Sequence, residues 1–168
     1  MGQDIWMLDE IEVAVSGFFT THHHFQTEWG GLGKCTFPAF SQHAMYRTAD
    51  GRELLMQKSH WLGSAHELVD GGSVRARADR PGLFRRDILI QFDGQEYTLE
   101  PEGLFSRGWL LFDAGGTKLL ELRPRGAFKQ GAYLTISGSI NSDLVAFVYY
   151  LVHMRQQEDA AATTAATS

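Results

Sequence analysis

The sequence has little of what marks several common protein classes. Its 168 residues include one cysteine, Cys35, which excludes an internal disulfide framework and favours a reducing compartment. The formal net charge of −5 argues against bulk electrostatic attraction to nucleic acid. The opening residues, "MGQDIWMLDE", lack the basic segment and the continuous apolar segment of a secretory signal. These absences predict a cytoplasmic protein with no nucleic-acid partner.

Sequence motifs of enzymes are also missing. The stretch "WGGLGK" has glycines and a lysine, but it lacks the spacing of a phosphate-binding loop and a helix after it. No serine lies in a G-x-S-x-G motif. We therefore expect no catalytic residue, no cofactor and no enzymatic activity. An enzyme with a His-lined surface cleft is the alternative, and no motif supports it.

Short alternating segments dominate the chain before residue 140. "IEVAVS" places Ile11, Val13 and Val15 on one face of a strand. Eighteen glycines against four prolines indicate tight turns between such strands. Four hairpins are predicted around glycine-containing turns, at Asp50-Gly51, Gly71-Gly72, Asp93-Gly94 and Ala114–Gly116. Less certain strands near Phe18–His24, Gly33–Phe37 and Gln42–Thr48 bring the total to about eleven or twelve, as in a sandwich or barrel.

A helix follows that has no polar face. Asn141, Ser142 and Asp143 suit its N-terminus, and Leu144–Met154 is apolar apart from His153. A membrane span is the rival interpretation, but eleven residues reach only about 16 Å against a hydrocarbon core of about 30 Å.

The remaining interpretation is a helix enclosed by protein. Only a barrel of about eleven or twelve strands is wide enough to hold a helix. We predict a mainly β fold, a closed barrel of about twelve mostly antiparallel strands around this C-terminal helix. One domain spans residues 1–159, with the helix near 143–157 and a disordered tail at 160–168. The helix should fill the lumen and leave no large cavity there, so that any ligand binds outside.

A known family combines these features. Hairpins such as "TADGRELLMQK" and "QFDGQEYTLE", followed by "SGSINSDLVAFVYYLVHMRQQ", resemble the tubby C-terminal-like superfamily, which includes the tubby domain, the phospholipid scramblases and the plant LURP-one-related proteins. The likeness is greatest to the small LURP-one-related or scramblase-like members. It implies a non-enzymatic module that binds phosphoinositide, anionic lipid or protein at a membrane surface. The chain lacks the Cys-rich run of scramblases, and no lipid-binding residue of tubby is matched here.

An arginine-rich stretch, "SVRARADRPGLFRRD", is the best local signal for such a ligand. Guanidinium groups grip phosphate bidentately, and basic clusters attract anionic lipid. The candidate anion- or lipid-binding residues are Arg75, Arg77, Arg80, Arg85 and Arg86. A solvated barrel face that deters edge pairing is the competing interpretation. It corresponds to a structural or protein-interaction domain with no lipid role.

The histidine run in "THHHFQTEW" allows a metal site. In a strand, His22 and His24 share one face while His23 points to the other. No cysteine or carboxylate at ligand spacing joins them except Glu28. We favour polar strand residues and predict no metal.

Overall fold

The chain closes into a single cylinder. The computed structural model describes residues 4–5, 10–59, 65–80, 85–126 and 130–167. Within these ranges, twelve strands form a closed barrel, two more form a small sheet, and one helix follows. Each barrel strand pairs antiparallel with its sequence neighbours, and the last pairs with the first. The predicted fold class is confirmed.

The barrel strands are β2 to β13, and the small sheet pairs β1 with β14. Their bounds are β1 Asp4–Ile5, β2 Glu10–Ser16, β3 Thr21–Thr27, β4 Gly30–Phe37, β5 Ala44–Thr48, β6 Glu53–Lys58, β7 His66–Asp70, β8 Ser73–Asp79, β9 Ile88–Phe92, β10 Gln95–Pro101, β11 Trp109–Asp113, β12 Lys118–Pro124, β13 Gly131–Ile136 and β14 Ile140–Asn141.

Alternation and turn chemistry explain these strands. Ile11 and Val13 point inward and are fully buried, as the period-2 pattern predicts. Asp93 and Gly94 have positive φ values of 47° and 80°, which a tight hairpin of the I′ type requires at both central residues. The strand expected near Phe18–His24 begins only at Thr21. A turn precedes it because Gly17 adopts a φ of 92°.

The helix α1, Ser142–Thr167, runs through the barrel. Every residue from Ser142 to Val152 is buried, which explains why this segment has no polar face. The helix continues beyond Gln157, so residues 160–167, expected to be disordered, are helical instead. Alanine is the best helix former, and extending an existing helix needs no new nucleus. The described helix lacks the length of apolar sequence needed to cross a membrane.

The two ends of the barrel differ, because antiparallel pairing places alternate connections at the same end. At one end, called the turn end, short turns join β3–β4, β5–β6, β7–β8, β9–β10 and β11–β12, and α1 begins. At the other, called the loop end, α1 leaves the barrel. The connections there join β2–β3, β4–β5, β6–β7, β8–β9, β10–β11 and β12–β13.

Candidate functional site

The five candidate arginines do not form one cluster. Arg75 lies near the turn end of β8, whereas Arg80 follows the same strand at the loop end. Arg77, between them, pairs with Glu67 across the wall of the barrel, at 3.0 Å. Arg80 pairs with Glu158 of the helix at 2.6 Å. Arg80 therefore joins the barrel to the helix, whereas Arg77 joins two neighbouring strands.

Arg75 takes part in the most buried ion pair. Its Nη1 lies 2.7 Å from Asp143 Oδ2, and Arg52 Nη2 lies 2.8 Å from the same oxygen. The Asp143 carboxylate is fully buried at the start of the helix. A register shift opposite Leu68 and Val69 leaves Arg75 as an extra residue in β8. Arg75 and Arg77 are two residues apart, so a regular strand would place them on the same face. Because a bulge changes the direction of a side chain, Arg75 turns to the helix instead.

Arg85 and Arg86 lie in the loop between β8 and β9. Both are exposed, and neither forms an ion pair within the described part of the chain. Arg107, in the loop between β10 and β11, is also exposed and forms no ion pair among the described residues. Sequence analysis missed Arg107 because it stands alone in "FSRGW", and the fold alone brings its loop to the same end as Arg85 and Arg86.

The loop end also exposes large apolar side chains. A single exposed apolar residue carries no information, but several at one end do. They are Phe18 (88% exposed), Phe19 (72%), Phe40 (104%), Leu104 (79%) and Phe105 (99%). These residues come from three different loops. The sequence signal is a phenylalanine beside turn-forming residues, as in "SGFFT", "PAFS" and "GLFS".

Other strongly exposed apolar residues do not gather in this way. Trp29 lies at the turn end with 81% of its surface exposed. Leu89 and Tyr133 are about half exposed, on barrel strands. The loop end is therefore where the exposed apolar surface of the described residues concentrates.

Charge divides between the two ends. At the turn end, Asp70 and Asp93 pair with Arg52 and Arg75, whereas Asp50 and Asp113 form no ion pair among the described residues. At the loop end, Glu102, Glu158 and Asp159 each pair with an arginine, and Asp79 and Asp87 form no ion pair within the described ranges. Arg85, Arg86 and Arg107 have no such partner among the described residues. The loop end is therefore the more positive face of a protein that is acidic as a whole.

A cleft of about 660 Å³ opens at the loop end, between the helix and the ends of β10 to β13. Arg86 and Arg107 line it, together with the apolar side chains of Trp109, Leu122 and Val152. It reaches His23, a residue of β3 that is 1% exposed. Its lining includes loop residues and the helix beyond the enclosed part, at Ala160 and Thr163, so the cleft lies at the mouth of the barrel and outside the part that the helix fills.

Histidines at the base of the cleft are held by aromatic neighbours. His23 Nδ1 lies 2.5 Å from the Tyr149 hydroxyl, and the rings of His23 and His153 are 5.0 Å apart. Burial lowers the pKa of His23 to about 3, with a smaller contribution from His153. Burial also lowers the pKa of His153 to about 4. Both are neutral near pH 7, so that the positive charge of the cleft comes from arginine.

The three adjacent histidines alternate as predicted. His23 points inward, whereas His22 bonds Thr36 at 3.1 Å and His24 bonds Ser16 at 3.2 Å. Among the described residues, no three His, Cys, Asp or Glu side chains are grouped to hold a metal ion.

Comparisons with known proteins bear on the fold. No protein-family model and no curated protein matches the chain. The X-ray structure of a protein from Arabidopsis thaliana, AT5G01750, is similar, with a TM-score of 0.60 and 11% sequence identity. The similarity covers 88% of this chain and 92% of that one. At this identity the likeness shows a shared fold and nothing about function.

Proposed function

We propose that this protein is a non-enzymatic module that binds anionic membrane surfaces through the loop end of its barrel. The observation that carries the proposal is the exposed phenylalanines of three loops beside arginines that have no ion-pair partner among the described residues. We also propose that it belongs with the tubby C-terminal-like superfamily. The similar barrel of the Arabidopsis protein and the enclosed helix support this assignment.

The two kinds of residue contribute comparable free energies. A phenylalanine removed fully from water contributes about 1.5–3 kcal/mol, so a half-inserted one contributes roughly half of that. An arginine close to an anionic surface contributes about 1 kcal/mol. Stable peripheral attachment generally needs two such signals together. We therefore expect binding to depend on both the phenylalanines and the arginines.

The distribution of charge orients the molecule. Carboxylates at Asp50 and Asp113 repel an anionic surface from the turn end, whereas Arg85 and Arg86 are attracted to it. Phosphatidylserine and phosphoinositides of the cytoplasmic leaflet are the expected lipids. The loop end should therefore face the bilayer.

Vesicle co-sedimentation tests the proposal. Vesicles of phosphatidylserine and phosphatidylcholine in equal amounts should bind the protein at low salt, and vesicles of phosphatidylcholine alone should bind it much less. Replacing Phe18, Phe19 and Phe40 by serine should weaken binding more than about tenfold, a loss of 1.4 kcal/mol or more. Replacing Trp29 by serine, at the turn end, is the control and should change nothing.

The arginines have their own matched pair of variants. Arg85→Ser should weaken binding by roughly fivefold, the equivalent of about 1 kcal/mol, whereas Arg77→Ser on the barrel wall should not. Absence of vesicle binding at low salt would refute the proposal. The structural or protein-interaction role would then be the better account of the exposed loops.

A further inference from the structure

We infer that the cleft at the loop end binds one anionic amphiphile, with its charged head on Arg86 and Arg107 and its apolar body against Pro101, Trp109 and Pro124. This inference rests on the proposed function, because a bilayer docked at the loop end would present such molecules to the cleft. It goes further in assigning a separate site for a single molecule.

The shape of the cleft is that of a ligand site. Its volume of about 660 Å³ falls within the range of about 300–1,000 Å³ typical of small-molecule pockets. Small side chains line both sides, with Ala132 on β13 and Ala160 on the helix. Tyr149 and His23 close its inner end, where they bond to each other.

The charges of the cleft select an anion. Arg155 also lines it but is engaged by Asp159, with Nε 3.4 Å from Oδ1. Arg86 and Arg107 form no ion pair within the described ranges, so they are available to a ligand. Guanidinium groups bind phosphate and carboxylate with paired hydrogen bonds. The head group is therefore a phosphate or a carboxylate.

The walls select an apolar body. Pro101 and Pro124 line the cleft and are partly exposed, and Trp109, which is 8% exposed, lines it at the margin of the apolar core. A free phosphate ion would leave this apolar surface in contact with water, whereas an acyl or similar chain would cover it. The same cleft therefore favours an amphiphile over an inorganic anion.

Calorimetric titration distinguishes these ligands. The probes are dihexanoyl phosphatidic acid below its micelle concentration, inorganic phosphate, and dihexanoyl phosphatidylcholine. The first should bind at least about tenfold more tightly than the other two, a difference of 1.4 kcal/mol. Equal affinity for inorganic phosphate would contradict the requirement for an apolar body. Equal affinity for the choline lipid would contradict the role of the arginines.

A pair of neighbouring alanines provides the structural control. Ala160 lines the cleft and Ala161 does not, although both are exposed on the helix. Ala160→Trp should fill the cleft and abolish titration with dihexanoyl phosphatidic acid, and Ala161→Trp should leave it unchanged. Thermal unfolding should show both variants to be folded. Retained binding by Ala160→Trp would overturn the inference.

The two proposals fail in different ways. Replacing Phe18, Phe19 and Phe40 by serine should weaken vesicle binding by more than about tenfold but keep binding of the short-chain lipid, because none of the three lines the cleft. Binding of the short-chain lipid by a protein that ignores vesicles would refute membrane docking alone. Vesicle binding without short-chain lipid binding would refute the cleft site alone.

Discussion

Replacing Asp143 by alanine is expected to destabilise the barrel, because this buried carboxylate joins the start of the helix to two strand ends. Arg52 precedes β6 and Arg75 lies in β8, and both donate to Asp143 Oδ2, at 2.8 and 2.7 Å. The backbone N–H of Asp143 also donates to Asn141 Oδ1 at 2.9 Å, which caps the helix. The substitution should therefore loosen the attachment of the helix to the turn end.

The expected loss of stability depends on the ion pairs that each arginine retains after Asp143 is replaced. Breaking a buried ion pair costs about 3–5 kcal/mol when the remaining charge has no partner. Here Arg52 keeps Asp70 at 2.8 Å, and Arg75 keeps Asp93 at 2.6 Å. The loss should therefore lie near the lower limit, at about 3 kcal/mol. Asp143→Asn keeps an acceptor oxygen and should lose about half as much.

Urea unfolding at low salt and at about 1 M salt measures this loss. A buried pair is poorly screened, so the difference between wild type and Asp143→Ala should persist at high salt. Glu96→Ala is the control, since Glu96 is exposed and has no ion pair among the described residues. A loss below about 1 kcal/mol for Asp143→Ala would refute the stabilising role given to this network.

Three further predictions concern the interior. Val148→Asp buries an unpaired charge in the enclosed helix and should prevent folding or cost more than about 3 kcal/mol in urea unfolding, whereas Thr163→Asp beyond the barrel should be tolerated. Burial lowers the pKa of His23 to about 3 and of His153 to about 4, below the value of about 6.5 in the unfolded chain, so the unfolded state binds more protons at acidic pH. Stability should therefore fall as the pH is lowered from about 6.5 towards 4, by at most about 1.4 kcal/mol per pH unit for each histidine. His153→Gln should make the free energy of unfolding less dependent on pH, and an unchanged slope in this variant would contradict the prediction. The Cys35 thiol is fully buried and burial raises its pKa, so it should react with a thiol reagent only when the chain unfolds.

Most of the fold could be predicted from sequence because two local signals agree. Turn residues such as Asp93-Gly94 set the hairpins, and a helix apolar on all sides, like Leu144–Met154, requires enclosure. The end of the helix was harder to predict, because Ala and Thr after Gln157 have no apolar pattern. Once the enclosed part has formed, they extend it at little cost.

The candidate site could be predicted only in part, because ion pairing depends on contacts distant in sequence. Arg75 and Asp143 are separated by 68 residues, and a bulge in β8 decides that they meet. Arg86 was found by composition, as part of a basic stretch. Arg107 and Phe40 carry no local signal of a shared surface, since only the antiparallel order of the strands brings their loops to one end.

Site-specific labelling of the two ends tests the central claim most directly. Ala39 lies in a connection at the loop end and Ala49 in a turn at the turn end, and both are exposed. Because Cys35 is buried, Ala39→Cys and Ala49→Cys each offer one accessible thiol for an environment-sensitive NBD fluorophore. With vesicles that contain phosphatidylserine, the account predicts a blue shift and brighter emission at Ala39→Cys and no change at Ala49→Cys. Equal responses at both positions, or a response at Ala49→Cys alone, would contradict docking through the loop end.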